Sequence, residues 1–236
     1  MSGEELNPIQ LIHKYLHELE LLRDKALTAR RKLVEQYHYD VIHDYRITIF
    51  EQIDRLLIYH NTNIVLFIRY VMHPQYVSDL FNTSEQDSKR IAIDYLQRTK
   101  HSLIIFVQSV IESYYRAFCT SLAFKTPHKF TKVYESLFNH FNISTDSEWS
   151  KAHKMLAKIR NTLHNNGIHT MPDETIYYHE KEYIFAHNMP HHAAGYDTII
   201  YMISDLIDFS HQIGSESSNI KLIKNNGCVD YFNLPY

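Results

Sequence analysis

Thr145-Asp-Ser-Glu-Trp-Ser-Lys-Ala-His-Lys-Met-Leu-Ala-Lys-Ile-Arg-Asn-Thr-Leu-His-Asn-Asn-Gly167 reads as one amphipathic helix with its start and stop written into it. Trp149, Ala152, Leu156, Ile159 and Leu163 recur at three- and four-residue steps, which align them on one helical face. Thr145 with Glu148 three residues on predicts a capping box at the start. Asn165-Asn166-Gly167 predicts the stop, because glycine readily takes the left-handed position that closes a helix. Such a stripe is stable only against other elements, so the flanking sequence must supply them.

Upstream, a long helical pattern runs from about Lys89 to Phe124, with Leu103, Val107, Val110, Tyr114, Phe118 and Leu122 in step. Glu112 and Arg116, four residues apart, are placed to pair on its side. Thr126-Pro127 ends it, since the residue before proline is pushed away from helical dihedrals, and Lys129–Phe141 supplies a short helix. Nearer the N-terminus, Asn7-Pro8 is a helix start, and Ile9, Ile12, Leu16, Leu19, Leu22, Ala26, Ala29 and Leu33 form the stripe that follows. That stripe is near-heptad and fits either a coiled-coil seam or packing within the chain. A second pattern passes through Ile42, Tyr45, Ile49, Ile53 and Leu56, and a third, Asn63–Met72, is apolar nearly all round and is expected to be buried. The polar run Asn82–Ser88 lacks apolar periodicity and is taken as a joint. Downstream, Ile176, Tyr178, Tyr183 and Phe185 alternate around Glu180-Lys181 as in a hairpin, and Tyr196–Ile213 is a final helix. The expected fold is all-α, mainly a helical bundle, with one small β-hairpin near residues 175–187. It divides into an N-terminal helical region (1–84), a main helical domain (85–213) and a polar tail (214–236).

Five glycines and six prolines in 236 residues favour long regular elements over many tight turns. With 24 basic and 27 acidic side chains the formal charge is −3, so the whole molecule is not the basic object that coats nucleic acid, although a local basic patch remains compatible. The cysteines, Cys119 and Cys228, are too few for a disulfide framework or a cysteine-based zinc site and read as thiols in a reducing compartment. Met1–Gln10 carries glutamates and a proline where a secretory signal needs basic residues and an apolar stretch. Ile64–Met72 is far short of the roughly 20 residues that span a bilayer. A cytoplasmic protein with no membrane partner is expected. The chain has no glycine-rich phosphate loop, no serine nucleophile elbow and no zinc-finger spacing, which removes the marks of P-loop enzymes, α/β hydrolases and zinc fingers. It also has no internal repeat.

The chemistry concentrates in Lys158-Ile-Arg-Asn-Thr-Leu-His-Asn-Asn-Gly-Ile-His169. Arg160 and His164 each follow a residue of the buried stripe, lie on its margin, and are four apart, so their side chains can meet. Arginine offers a permanent forked donor to a phosphate, and histidine exchanges a proton near neutral pH, a combination suited to phosphodiester chemistry.

Arg160-Asn161-Thr162-Leu163-His164 resembles the hallmark of the HEPN family, an arginine, usually an asparagine, then a histidine after four to six intervening residues. The order of elements is also similar over about Lys89–Ile213: a long helix with Glu112 in its middle, a second helix, the motif helix and a closing helix. The spacing departs from the family, since only three residues separate Arg160 from His164, which moves the histidine by about 100° around a helix. His169 lies past the glycine stop and does not restore the spacing. The resemblance implies a metal-independent endoribonuclease of a toxin or antiviral defence system, working as a homodimer whose two motifs face one cleft, with RNA as substrate and an antitoxin or other protein as partner. It implies catalytic roles for Arg160, His164 and Asn161, with Glu112, Asn165 and Lys158 supporting them or binding RNA. The alternative is a non-catalytic nucleotide- or RNA-binding protein, or an interaction scaffold.

His13 with His17, and His187 with His191-His192, have spacings that bring imidazoles together, but no carboxylate or cysteine completes either set, so no metal and no cofactor is assigned. Tyr177, Tyr178 and Tyr183 in the hairpin suggest either base-stacking platforms or an apolar face that needs a cover, with a second subunit slightly favoured over the chain's own helices.

Overall fold

Helix α1 (Pro8–Tyr37) begins where the sequence predicts, because Asn7 and Gln10 cap each other reciprocally. The Asn7 side chain accepts from the Gln10 amide at 2.9 Å, and Gln10 Oε1 accepts from the Asn7 amide at 3.0 Å. The computed structural model describes residues 7–224, and the order continues with α2 (Tyr45–Leu66), α3 (Pro74–Phe81), α4 (Glu85–Ser121), α5 (Phe130–His140), α6 (Glu148–His164), β1 (Glu174–Tyr178), β2 (Lys181–Phe185) and α7 (Tyr196–Glu216). This is a mainly helical fold with one antiparallel hairpin.

Helix α7 is the hub. It packs against α1, α2, α4 and α6, and Ile199, Ile203, Leu206, Phe209 and Ile213 are almost wholly buried. From Leu19 onward the α1 stripe is covered by α2 and α7 of the same chain, which accounts for its near-heptad spacing without a coiled-coil partner. Buried residues from α1 and α2 join those from α4 to α7 in a single cluster, so regions 1–84 and 85–213 share one core. The polar run at 82–88 is a pair of caps: Asn82 closes α3 in the left-handed conformation, and Ser84 opens α4, its side chain accepting from the Asp87 amide.

Three local expectations are corrected. Asn63–Met72 is the end of α2 running into a π-helical turn, Phe67–Val71, and it is not apolar because it is buried. Ile64 and Phe67 face inward, whereas Val65, Leu66 and Tyr70 are 37%, 41% and 43% exposed. Helix α4 stops at Ser121, before Thr126-Pro127, with Ala123 taking a positive φ of 57°. Helix α6 is capped by Ser147, not Thr145. The Ser147 side chain accepts from the Ser150 amide at 3.2 Å while its hydroxyl donates to the Ser144 carbonyl at 2.7 Å. Ser147→Ala should therefore cost about 1 kcal/mol in urea unfolding and Thr145→Ala far less; equal losses would contradict this assignment.

The hairpin turns at His179-Glu180, both left-handed (φ 46° and 61°), the hand that matches the twist of a two-residue hairpin loop. Ile176, Tyr178, Tyr183 and Phe185 alternate inward as expected. They are covered by the chain's own α6 and α7 and not by a second subunit: Tyr178 donates to Asp205 at 2.7 Å, and Tyr183 meets Thr198 at 3.0 Å. Of the three candidate stacking tyrosines only Tyr177 faces solvent.

Candidate functional site

The α6 stripe positions the motif. Ala152, Met155, Leu156 and Ile159 are buried, and Leu163 packs against the same core, which leaves Asn161 and His164 exposed and Arg160 half-buried at the margin. The helix ends at His164, and its last turn is closed by several bonds. The Gly167 amide donates to the Thr162 carbonyl at 2.9 Å, with Asn166 and Gly167 left-handed (φ 55° and 84°), as the sequence predicts. Asn165 donates from its side chain to the Asn161 carbonyl at 2.9 Å and to the Thr170 hydroxyl at 3.1 Å.

Arg160, Asn161, His164 and Asn165 thus share one end of one helix. Arg160 Nη1 reaches Asn161 Oδ1 at a long 3.4 Å, and among the described residues neither Arg160 nor His164 has a carboxylate partner. The guanidinium keeps most of its donors and the imidazole faces solvent. Chemically, such an end can bind a phosphate and pass a proton, the two functions expected of arginine and histidine.

Two supporting residues are committed elsewhere. Glu112 is gripped by Arg116 at 2.5 and 3.0 Å, and Arg116 also donates to the carbonyls of Pro127 and His128. That pair therefore ties α4 to the loop before α5. Lys158 pairs with Glu174 at 2.5 Å, lies over the Phe185 ring, and joins Lys154 on the same carboxylate. Partial burial opposes ionisation of Glu174, but hydrogen bonds from Lys154 and Lys158 outweigh it and hold the carboxyl below its ordinary range. Lys158 thus anchors the hairpin to α6. His169 is buried beside Phe185, and its backbone exchanges hydrogen bonds with Met189 and Asn188, so it pins a loop.

The partners of His153 and His179 went unread in the sequence. His153 is wholly buried among Tyr115, Tyr134, Phe138 and Phe209, with Nε2 2.5 Å from the Tyr115 hydroxyl and Nδ1 2.5 Å from the Trp149 carbonyl. At the hairpin turn, His179 Nε2 lies 3.0 Å from Asp205 Oδ2, its amide donates to Glu148, and its ring stacks on Tyr201. Burial, then the nearby Asp205 carboxylate, drives the Tyr178 phenol far above its ordinary pKa, so Tyr178 remains a donor to that carboxylate. Asp205, set between the apolar Ile203 and Leu206 on the buried face of α7, was the signal available for this cluster. Among the described residues no group of three or more His, Cys, Asp or Glu side chains is placed to hold a metal ion, and no helix is long and apolar enough to cross a membrane.

Comparison with protein-family models, with curated proteins and with solved structures gives no match.

Proposed function

We propose that the chain is a HEPN-like, metal-independent endoribonuclease, a toxin or defence effector that acts in the cytoplasm as a homodimer and is held in check by an antitoxin-type protein. The observation that carries this reading is the pairing, one helical turn apart, of an exposed His164 with a half-exposed Arg160 that no carboxylate among the described residues neutralises. Attack of an RNA 2′-hydroxyl on the adjacent phosphate needs a base for the hydroxyl proton, an acid for the departing oxygen, and positive charge on the non-bridging oxygens. Arg160 supplies the charge, His164 one proton transfer, and Asn161 orients the guanidinium. One histidine cannot be base and acid in the same step, so the second copy's motif supplies the other transfer. Glu112 and Lys158 support the site only through the fold.

A non-catalytic RNA-binding or scaffold role is the second reading. It is favoured by the three-residue spacing and by the use of Asn161 and Asn165 in closing the helix end. The test is cleavage of a mixed RNA pool in EDTA by wild type, Arg160→Ala and His164→Ala. Both substitutions should lower the rate by at least about tenfold with unchanged unfolding midpoints. Cleavage that survives both removes the enzyme reading, and RNA retained without cleavage by the wild type supports the binding one.

A further inference from the structure

The strongest unassigned feature is a groove of about 610 Å³ between the second half of α2 and the middle of α4. Its volume lies within the roughly 300–1,000 Å³ of small-molecule sites. The floor is apolar, made by Leu56, Leu103 and the edge of His60, which is 4% exposed and meets the Tyr196 hydroxyl at 3.2 Å. Burial lowers the His60 pKa to about 4, so the floor is uncharged at neutral pH.

Two walls are aromatic and unpartnered: Tyr59 is 65% and Phe106 55% exposed. Tyr95, also in the lining, is fixed by its hydroxyl donating to Asn63 at 3.2 Å and by stacking on Phe67. The lining holds one ionised side chain, Arg98, and no carboxylate. Arg98 reaches Asp94 only at 3.6 Å, with 81% of its side chain exposed, so the pair is weak and the hydrated guanidinium is free to exchange water for a ligand.

We infer that this groove binds a small amphiphilic anion, its flat apolar body between Tyr59 and Phe106 over Leu103 and its single anionic head on Arg98. Charge complementarity sets the class: Arg98 is the one ionised side chain of the lining, no lining carboxylate can pair with a cationic head, and an anionic head would exchange the water on Arg98 for charge-assisted hydrogen bonds. No residue of α6 takes part, so the site is independent of the proposed RNA chemistry.

The probe is anilinonaphthalene sulfonate, an aromatic anion, titrated by fluorescence into the folded full chain, with its uncharged parent phenylnaphthylamine alongside. Arg98 and Ser102 are both exposed, so substitution there should leave the thermal midpoint in place. One saturable site per chain is expected, weakened at least about fivefold in Arg98→Gln and abolished in Ser102→Trp, which fills the groove. The uncharged parent should bind wild type and Arg98→Gln alike, and more weakly than the anion binds wild type. Absence of binding, or binding indifferent to both substitutions, overturns the proposal. Equal affinity for the two probes overturns its anionic part. A dimer in sedimentation that must be diluted to monomer before the probe binds would assign the groove to a second copy of the chain instead.

Discussion

Arg46→Ala is expected to lower the free energy of unfolding by about 3–5 kcal/mol, the cost of stranding one member of a buried ion pair. Arg46 is 0% and Asp44 1% exposed, and they meet bidentately, Nε to Oδ1 at 2.9 Å and Nη2 to Oδ2 at 2.6 Å. Asp44 also caps α2 through the Arg46 amide. The remaining donors hold the chain beyond α7: Nη1 reaches the Ser217 carbonyl at 2.6 Å and Nη2 the Ile220 carbonyl at 2.9 Å. The guanidinium lies 3.7 Å from the Tyr39 ring centre, and the Tyr39 hydroxyl donates to the Gly214 carbonyl. Alanine would leave the buried Asp44 carboxylate with only the residue-46 amide, the Ser217 carbonyl with only the Ile220 amide, and the Ile220 carbonyl without the guanidinium, while lysine would keep the charge but lose the fork. Urea unfolding should therefore rank wild type, then Arg46→Lys, then Arg46→Ala. The double variant Asp44→Leu/Arg46→Met should lie above Arg46→Ala, because it leaves no uncompensated charge. Amide exchange at Ser217 and Ile220, whose amides donate to the Ile213 and Ser217 carbonyls, should accelerate in Arg46→Ala before the global transition. A loss under about 1 kcal/mol would mean that water reaches this site.

This clamp also shows where sequence reasoning stopped. Local signals were legible because the groups that decide them are neighbours in the chain. Asn7-Pro8 capped α1, Asn165-Asn166-Gly167 closed α6, and alternation around Glu180 produced the hairpin. Arg46 and Ser217 are 171 positions apart, and nothing within a window around either predicts the other, so the tail after Gly214 read only as polar. The α6 cap was misplaced for a related reason. Ser144, Thr145 and Ser147 all have capping side chains, and the choice fell on the one whose hydroxyl also closes the preceding turn. At the candidate site, Arg160, Asn161 and His164 were legible as a group because they share a helix. Glu112 and Lys158 look like site residues in sequence, but Arg116 and Glu174 claim them across element boundaries. The end of α2 looked like core because composition alone cannot separate a buried apolar run from an exposed one.

The second large effect belongs to His153 and appears as a dependence on pH. Burial pushes its folded-state pKa down to about 4, against a hydrogen bond to the Trp149 carbonyl that opposes the shift. A carbonyl can only accept, so Nδ1 carries the proton, and Nε2 accepts from the Tyr115 hydroxyl. An unfolded histidine titrates near about 6.5, so below that pH the unfolded chain binds the proton first. Stability from this group is complete above about 6.5 and drains away as pH falls toward the folded value. Between about pH 7 and about pH 5 one such histidine withdraws about 2 kcal/mol, a large share of the roughly 5–15 kcal/mol that holds a domain together. His60, lowered to about 4 by the same burial, adds in the same direction. His153→Phe alone should cost about 1–3 kcal/mol at neutral pH, because the Tyr115 hydroxyl loses its acceptor. His153→Phe with Tyr115→Phe should regain most of that loss, the new rings packing against Phe138 and Phe209. The decisive comparison is the slope: the free energies of urea unfolding at the two pH values should separate by about 2 kcal/mol less in the double variant than in wild type. Parallel slopes would place the acid sensitivity elsewhere, with His60 and the ion-paired carboxylates next in line.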